Sequence, residues 1–460
     1  MHARPEVHNR LSYRIGCYPT SNVNELPETF SLPRGMKDTE PEEMTRRIWL
    51  YDKIREVVLR YGFRLVEPST VEHLTTLEAK SGPSIRNEIY WFKDKAGRSL
   101  GLRFDLTVGL ARMIASRSDL PEPIKYATIG GNWRYDEPQF GRYRYFTQWD
   151  VEIFGSANPL ADAEAICVGA DILENVGLKD FKIRISNRKL TEAYLKELGL
   201  RTGERLDQTL RIIDKFRKVA RQELEKEFRA AEINPETVDK ILDFISISGA
   251  PRDVLDELTK LNLQEEHAKS AISELQILSN CLEAFGRIDN CIYDLSIVRG
   301  ISYYDGIVFE AYDSNEAVGA IFGGGRYDGL CKIYGKRDLP ATGVAGGIER
   351  LMISLEQANL FPQMKSAAKI FIATVQNEVI PGAIKIAKLL REKQIATEMD
   401  LKGRSLSKQL EYVDSSKIPY LIVVGRRELE SQIVKIKNTA TRTEIEVTLN
   451  ELVSRIQSLD

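Results

Sequence analysis

The stretch Arg134–Gly155, RYDEPQFGRYRYFTQWDVEIFG, most narrows what this chain can fold into. It reads as two strands joined by a charged loop, and the second strand alternates. Tyr145, Thr147, Trp149, Val151 and Ile153 fall on one face; Phe146, Gln148, Asp150 and Glu152 fall on the other. The first set suits a core. The second puts an amide and two carboxylates on one side of a sheet, with Arg134, Arg142 and Arg144 at the strand ends and in the loop. Two readings fit: a half-solvated edge hairpin laced with salt bridges, or the floor of a site for a zwitterion together with a polyphosphate. The recurrence of the same chemistry elsewhere in the chain favours the second.

At 460 residues the chain exceeds one core, so two or three domains are expected. Net charge is −2, so a polyanionic partner must be met by a local basic patch. The five cysteines (Cys17, Cys167, Cys281, Cys291, Cys331) are scattered without CxxC spacing, which predicts reduced thiols and no metal site. Four dispersed histidines (His2, His8, His73, His267) argue against a histidine triad. No apolar run approaches membrane length and no signal-peptide core opens the chain, so the expectation is a cytoplasmic protein without a membrane partner.

Residues 1–30 carry little periodicity and read as an N-terminal extension. Met44, Ile48, Tyr51, Ile54 and Val58 at helical spacing predict a helix ending at Gly62, then a short strand Phe63–Val66 running into Pro68. Leu100–Val108 reads as a strand with Arg103, Asp105 and Thr107 on one face, a set that suits an ammonium group or a plain cross-strand ion pair. A further strand lies between Lys125 and Trp133. Residues 186–286 are rich in Lys, Glu, Leu and Ile at helical periods, as at Leu210, Ile213, Phe216 and Val219, and predict an all-helical insertion. Beyond it come a turn near Gly300 flanked by Arg299, Tyr303 and Tyr304, and a strand through Ile307–Tyr312. The glycine run Gly323–Gly325 before Arg326 suits either close backbone approach to a ligand or a tight turn; with no GKS or GKT after it, it is not a P-loop. TGVAGGIERLMISLEQA then passes from a glycine-rich strand into a helix with Arg350 in its first turn, where helix end and guanidinium both favour an anion. Residues 366–460 alternate strands and helices and predict a small α/β domain with a largely parallel sheet. Its basic side chains fit a phosphate-backbone surface or a solvated rim.

Arg134, Arg299 and Arg350 each lie at a strand or helix edge beside glycines; Asp105, Thr107, Gln148 and Glu152 are acceptors on strand faces. Arginine forks stabilise a transferring phosphoryl group without a nucleophile or histidine base. Carboxylates with an amide hold an ammonium, and a carboxylate with a tyrosine hydroxyl can grip both nitrogens of an imidazole. Together these describe activation of an amino acid with ATP.

These segments resemble the histidyl-tRNA synthetases, class II aminoacyl-tRNA synthetases, from about Leu32 to the C-terminus. PRGMKD (Pro33–Asp38) resembles the start of their catalytic domain, the helix and strand ending at Pro68 motif 1, RYDEPQFGRYRYFTQWDVEIFG motif 2, and GVAGGIERL motif 3. VRGISYYDGIVFE and GGGRYDGL resemble the two histidine-specific signatures. The resemblance implies an α+β fold. Its antiparallel-sheet catalytic domain would comprise residues 31–185 and 287–360, its helical insertion 186–286, and its C-terminal α/β anticodon-binding domain 366–460. It further implies Arg134 and Arg299 as catalytic groups on the α-phosphate and the attacking carboxylate, with no protein-ligated metal. Arg350 would hold the γ-phosphate, and Phe146 the adenine, with Asp136 beside the ATP. Asp105, Thr107 and Gln148 would hold the ammonium, and Glu152 and Tyr304 the imidazole, with Tyr303 alongside. Gln139 and Arg144 would lie near the acceptor end of tRNA. The implied partners are L-histidine, ATP with Mg2+, tRNA(His) and a second copy of the chain. Ser302, Asp305, Phe104 and Asp136 depart from the family pattern, which holds an acidic residue, threonine, proline and glutamate there. The rival reading is a non-catalytic, histidine-sensing regulatory subunit of ATP phosphoribosyltransferase, a relative that typically lacks the last domain and these arginines.

Overall fold

The computed structural model describes residues 30–81, 83–137, 143–200, 203–298, 304–316, 318–335, 337–363 and 366–459. The extension read at 1–30 lies almost wholly outside them. The chain divides into two compact units, residues 1–360 and 361–460.

In the first unit the strands are, in chain order, β1 (Arg64–Leu65), β2 (Val71–His73), β3 (Trp91–Lys93), β4 (Ser99–Leu102), β5 (Ile124–Trp133), β6 (Tyr145–Phe154), β7 (Phe181–Asn187), β8 (Ser248–Gly249), β9 (Cys291–Asp294), β10 (Ile307–Asp313), β11 (Phe322–Arg326) and β12 (Ala341–Gly347). Nine of the described strands form one sheet in the order β1-β5-β6-β12-β11-β10-β7-β9-β8. The β1/β5 and β7/β9 pairs are parallel and the others antiparallel. β5 and β6 are the long hairpin read in the sequence, paired from Ile124↔Phe154 to Trp133↔Tyr145. β6 lies inside the sheet, between β5 and β12, so its polar face is no solvated edge: Trp149, Val151 and Ile153 are buried on one side, Asp150 and Glu152 on the other.

Two glycine-rich strands, β11 and β12, approach where a side chain would keep them apart. β11 passes between β10 and β12 with Gly324 facing Gly343 O, which a Cβ there would approach to 2.1 Å. The glycine run is therefore a strand centre and not a tight turn. Helix Pro159–Asn175, capped by Asn158, packs against β11 and β12.

Several expectations are corrected. The Leu100–Val108 strand ends at Leu102; Asp105 sits in the following loop and Thr107 opens helix Thr107–Ala115. The chain turns there because Arg103, buried, donates to Gly131 O at 2.8 Å and Pro68 O at 2.6 Å. Helix Pro41–Arg60 exists, but it buries Arg47, Leu50, Ile54, Val57 and Val58, while Met44 and Ile48 are 41% and 49% exposed. The segment 186–286 is not wholly helical: the end of β7 lies in it, β8 adds a sheet edge against β9, and the run through Phe216 and Val219 leaves the helix after Ile213.

In the second unit β13 (Ile370–Thr374), β14 (Thr397–Met399), β15 (Tyr420–Val424), β16 (Ile433–Asn438) and β17 (Glu444–Thr448) are ordered β14-β13-β15-β16-β17. Only β14, β13 and β15 are parallel; β16 and β17 are antiparallel. The sheet is mixed, not largely parallel, because β16 and β17 add to it antiparallel. Ile370, Ile372, Ile422, Val434 and the helix residues Ala383 and Leu390 build its own core.

Candidate active site

On the polar face of β6 lies a cavity of about 280 Å3, lined by β6, β10, β11, β12, the start of helix Thr107–Ala115, and Arg350. Of the residues singled out in the sequence it brings together Asp105, Thr107, Arg134, Asp136, Phe146, Gln148, Glu152, Tyr304 and Arg350. Arg144 is not among the lining. Its guanidinium stacks over Tyr135 at 4.1 Å and donates to Asp136 O at 3.1 Å, at the base of the hairpin. Arg299, Tyr303 and Gln139 lie outside the described residues.

At one end, Arg134 Nε donates to Phe104 O at 2.9 Å and its guanidinium lies 4.9 Å from the Phe146 ring centre. Phe104 is buried against Leu74, Leu77 and Val108. Arg350, in the first turn of helix Ile348–Gln357, donates to Ala320 O at 3.0 Å. Its neighbour Glu349 accepts from Thr147 N at 3.1 Å and pairs with buried Arg47 at 3.0 Å, tying helix Pro41–Arg60 and helix Ile348–Gln357 to the start of β6. Two cations and a half-buried aromatic ring at this end suit a nucleoside polyphosphate.

The other end is acidic. Thr107 Oγ1 donates to Glu152 Oε1 at 2.8 Å and lies 3.3 Å from Asp150 Oδ2. Tyr327 donates its hydroxyl to Glu152 Oε2. The Tyr304 ring meets that of Tyr327 edge-on, 6.4 Å between centres. Asp105 Oδ1 accepts from Val108 N at 3.0 Å, and Gln148 Oε1 accepts from Asn132 Nδ2 at 2.6 Å. Glu152 occupies the space of a missing side chain: a Cβ on Gly343, directly opposite on β12, would sit 1.6 Å from Glu152 Oε2. Burial pushes the Glu152 carboxyl up to about 7 against the lowering bonds from Tyr327 and Thr107. Burial likewise raises Asp105. It holds Asp150 well above the ordinary carboxylate range, with repulsion from Glu152 and Asp105 adding to it.

Sequence reasoning did not assign Tyr327, Glu349, Arg47 or Asp150. The alternation of β6 already put Asp150 on the site face, and Tyr327 and Glu349 stand within GGGRYDGL and GVAGGIERL, so three of the four were signalled. Arg47 carried no signal, because its pairing with Glu349 spans more than 300 positions of chain. Among the described residues no group of three or more His, Cys, Asp or Glu side chains is arranged to hold a metal ion.

An antiparallel-rich sheet carrying arginines at one end of its pocket and carboxylates at the other defines a class II aminoacyl-tRNA synthetase core. The family model for histidyl-tRNA synthetase matches residues 35–351, and that for an anticodon binding domain matches residues 369–459. The histidine–tRNA ligase of Pyrococcus horikoshii is 37% identical over 428 residues, 93% of this chain and 98% of its own. That of Thermococcus kodakarensis is 38% identical over 409 residues, 88% and 93%. The crystal structure of histidyl-tRNA synthetase from Nostoc superposes with a TM-score of 0.80 at 30% identity, covering 95% of this chain and 99% of that one. A Bacillus halodurans structure titled as an ATP phosphoribosyltransferase regulatory subunit/histidyl-tRNA synthetase covers 84% and 97%, with a TM-score of 0.72 at 26% identity. This chain belongs to the histidyl-tRNA synthetase family.

Proposed function

We propose that this protein is a histidine–tRNA ligase, which activates L-histidine with ATP and transfers it to the 3′ end of tRNA(His). The observation that carries the reading is one pocket in which Arg134, Phe146 and Arg350 lie at one end and Asp105, Thr107, Gln148, Glu152 and Tyr304 at the other. In the first step a histidine carboxylate oxygen attacks the α-phosphorus of Mg-ATP. The bond to the bridging oxygen breaks, and pyrophosphate leaves with the electron pair. Arg134, with Arg299, neutralises the charge developing on the α-phosphate; Arg350 holds the γ-phosphate; Phe146 stacks on adenine, with Asp136 beside it. Asp105, Thr107 and Gln148 hold the ammonium, and Glu152 and Tyr304, with Tyr303, read the imidazole. In the second step a terminal ribose hydroxyl of the tRNA attacks the adenylate carbonyl, AMP leaves, and the hydroxyl proton is released; Gln139 and Arg144 act near that acceptor end.

Mg2+ enters with ATP as substrate. The domain limits are taken as 31–185 with 287–360 for catalysis, 186–286 for the insertion and 366–460 for the anticodon. We assign a homodimer, supported by the apolar Met44 and Ile48 left exposed on the motif 1 helix, and a cytoplasmic setting. Among the described residues no helix is long and apolar enough to cross a membrane. The regulatory reading is disfavoured by Arg134 and Arg350 in the pocket and by the matched anticodon-binding domain.

The test is exchange of labelled pyrophosphate into ATP with each standard amino acid in turn. Exchange with histidine alone is expected; histidine binding without exchange would move the assignment to the regulatory subunit. Arg134→Ala and Arg299→Ala should each slow exchange about a hundred- to a thousandfold, the loss typical of one preorganised electrostatic donor.

A further inference from the structure

Asp150 stands between Gln148 and Glu152 on the site face of β6, 1% exposed, and lines the pocket. Nothing among the described residues satisfies it in full. Among the described residues its Oδ1 is buried without a hydrogen-bond partner, and it forms no ion pair. Its one contact, Oδ2 at 3.3 Å from Thr107 Oγ1, has no hydrogen to spare, because that hydroxyl's single proton goes to Glu152 at 2.8 Å. Arg103 and Arg134 are both close enough to feel its charge, but neither bonds to it: Arg103 donates to the carbonyls of Gly131 and Pro68, and Arg134 Nε to that of Phe104. A buried carboxylate with no bonded cation is costly to ionise, and a cationic ligand group in the pocket is what would hold it charged.

Resting on the histidine-activating reading above, the geometry points to Asp150 as a further substrate-binding residue, its carboxylate accepting a hydrogen bond from the α-ammonium group of the amino acid. Asp150 then joins Asp105, Thr107 and Gln148, which line the same pocket, as an acceptor for the three ammonium N–H bonds. Gln148 Oε1 already accepts from Asn132 Nδ2, which leaves it one lone pair, so Asp150 supplies a second carboxylate beside Asp105. The imidazole is left to Glu152, which Tyr327 and Thr107 both orient. A cation here also favours the ionised form of a carboxyl that burial otherwise disfavours. The competing explanation is internal. Thr128, directly opposite on β5, also carries a buried hydroxyl without a partner, and a carboxylate kept only for that strand pair would have no role in binding.

The experiment is calorimetric binding to the full chain of histidine, histidinol and imidazolepropionate, the last lacking the ammonium. Asp150→Asn should weaken histidine and histidinol by about ten- to a hundredfold, the loss of one charge-assisted hydrogen bond, and leave imidazolepropionate unchanged. Thr128→Val should leave all three unchanged. Equal affinity of Asp150→Asn and wild type for histidine overturns the assignment. So does uniform weakening of all three ligands, or the same pattern in Thr128→Val, since each marks a structural role. A wild-type chain that binds no histidine overturns the histidine reading itself, a failure separate from these.

Discussion

Glu152 carries the clearest prediction at the level of a single side chain. Its carboxyl is raised to about 7, so the fold disfavours its charged form. The stability tied to the protonated carboxyl is full below the unfolded value near pH 4.3 and is lost as pH rises through about 7. The shift corresponds to on the order of 3 kcal/mol. Thermal unfolding midpoints of wild type should therefore fall relative to Glu152→Gln between pH 4.5 and 7.5; parallel curves would refute the assignment. Arg47 acts through its buried ion pair with Glu349. Removing it in Arg47→Met strands buried Glu349, and a loss of about 3–5 kcal/mol in urea denaturation is expected. The polar residues of β6 were legible one by one because strand alternation assigns each to a face. Their partners were not, since Tyr327 lies 175 positions from Glu152.

Among the elements, the glycine-rich strands set the shape of the pocket. Gly343→Ala would drive a methyl into Glu152 and towards Val151 O. We expect about 1–3 kcal/mol of destabilisation and a rise in KM for histidine of more than about tenfold, with KM for ATP nearly unchanged in exchange assays. The sequence allowed a turn at Gly323–Gly325 because local glycine preference is the same in a turn and at a close strand approach. Only the register of β11 against β10 and β12 separates the two. The strand forecast through Thr107 failed in the same way: alternation persists across LRFDLT, but buried Arg103 anchors the chain to neighbouring carbonyls and redirects it into a helix.

For the whole molecule, the division at Leu360/Phe361 yields a test, because residues 361–460 hold a core of their own. A fragment ending at Leu360 should retain histidine-dependent pyrophosphate exchange within a few-fold. It should lose aminoacylation of tRNA by about a hundredfold or more, since two linked binding modules bind far better than one. Equal loss of both activities would mean that the catalytic unit depends on the second.

What the sequence determined by itself was everything carried by short-range periodicity and local motifs: the β5–β6 hairpin, the strand-to-helix passage that sets Arg350, and the alternating second unit. It also placed Arg134, Gln148, Glu152 and Tyr304 as candidates for one site. The tertiary structure alone decided that β6 lies inside the sheet, with both faces buried, and that its carboxylates share Thr107 at a helix start. The physical reason is that burial, ion pairing and pKa depend on which distant strands close over a residue, and no local pattern carries that.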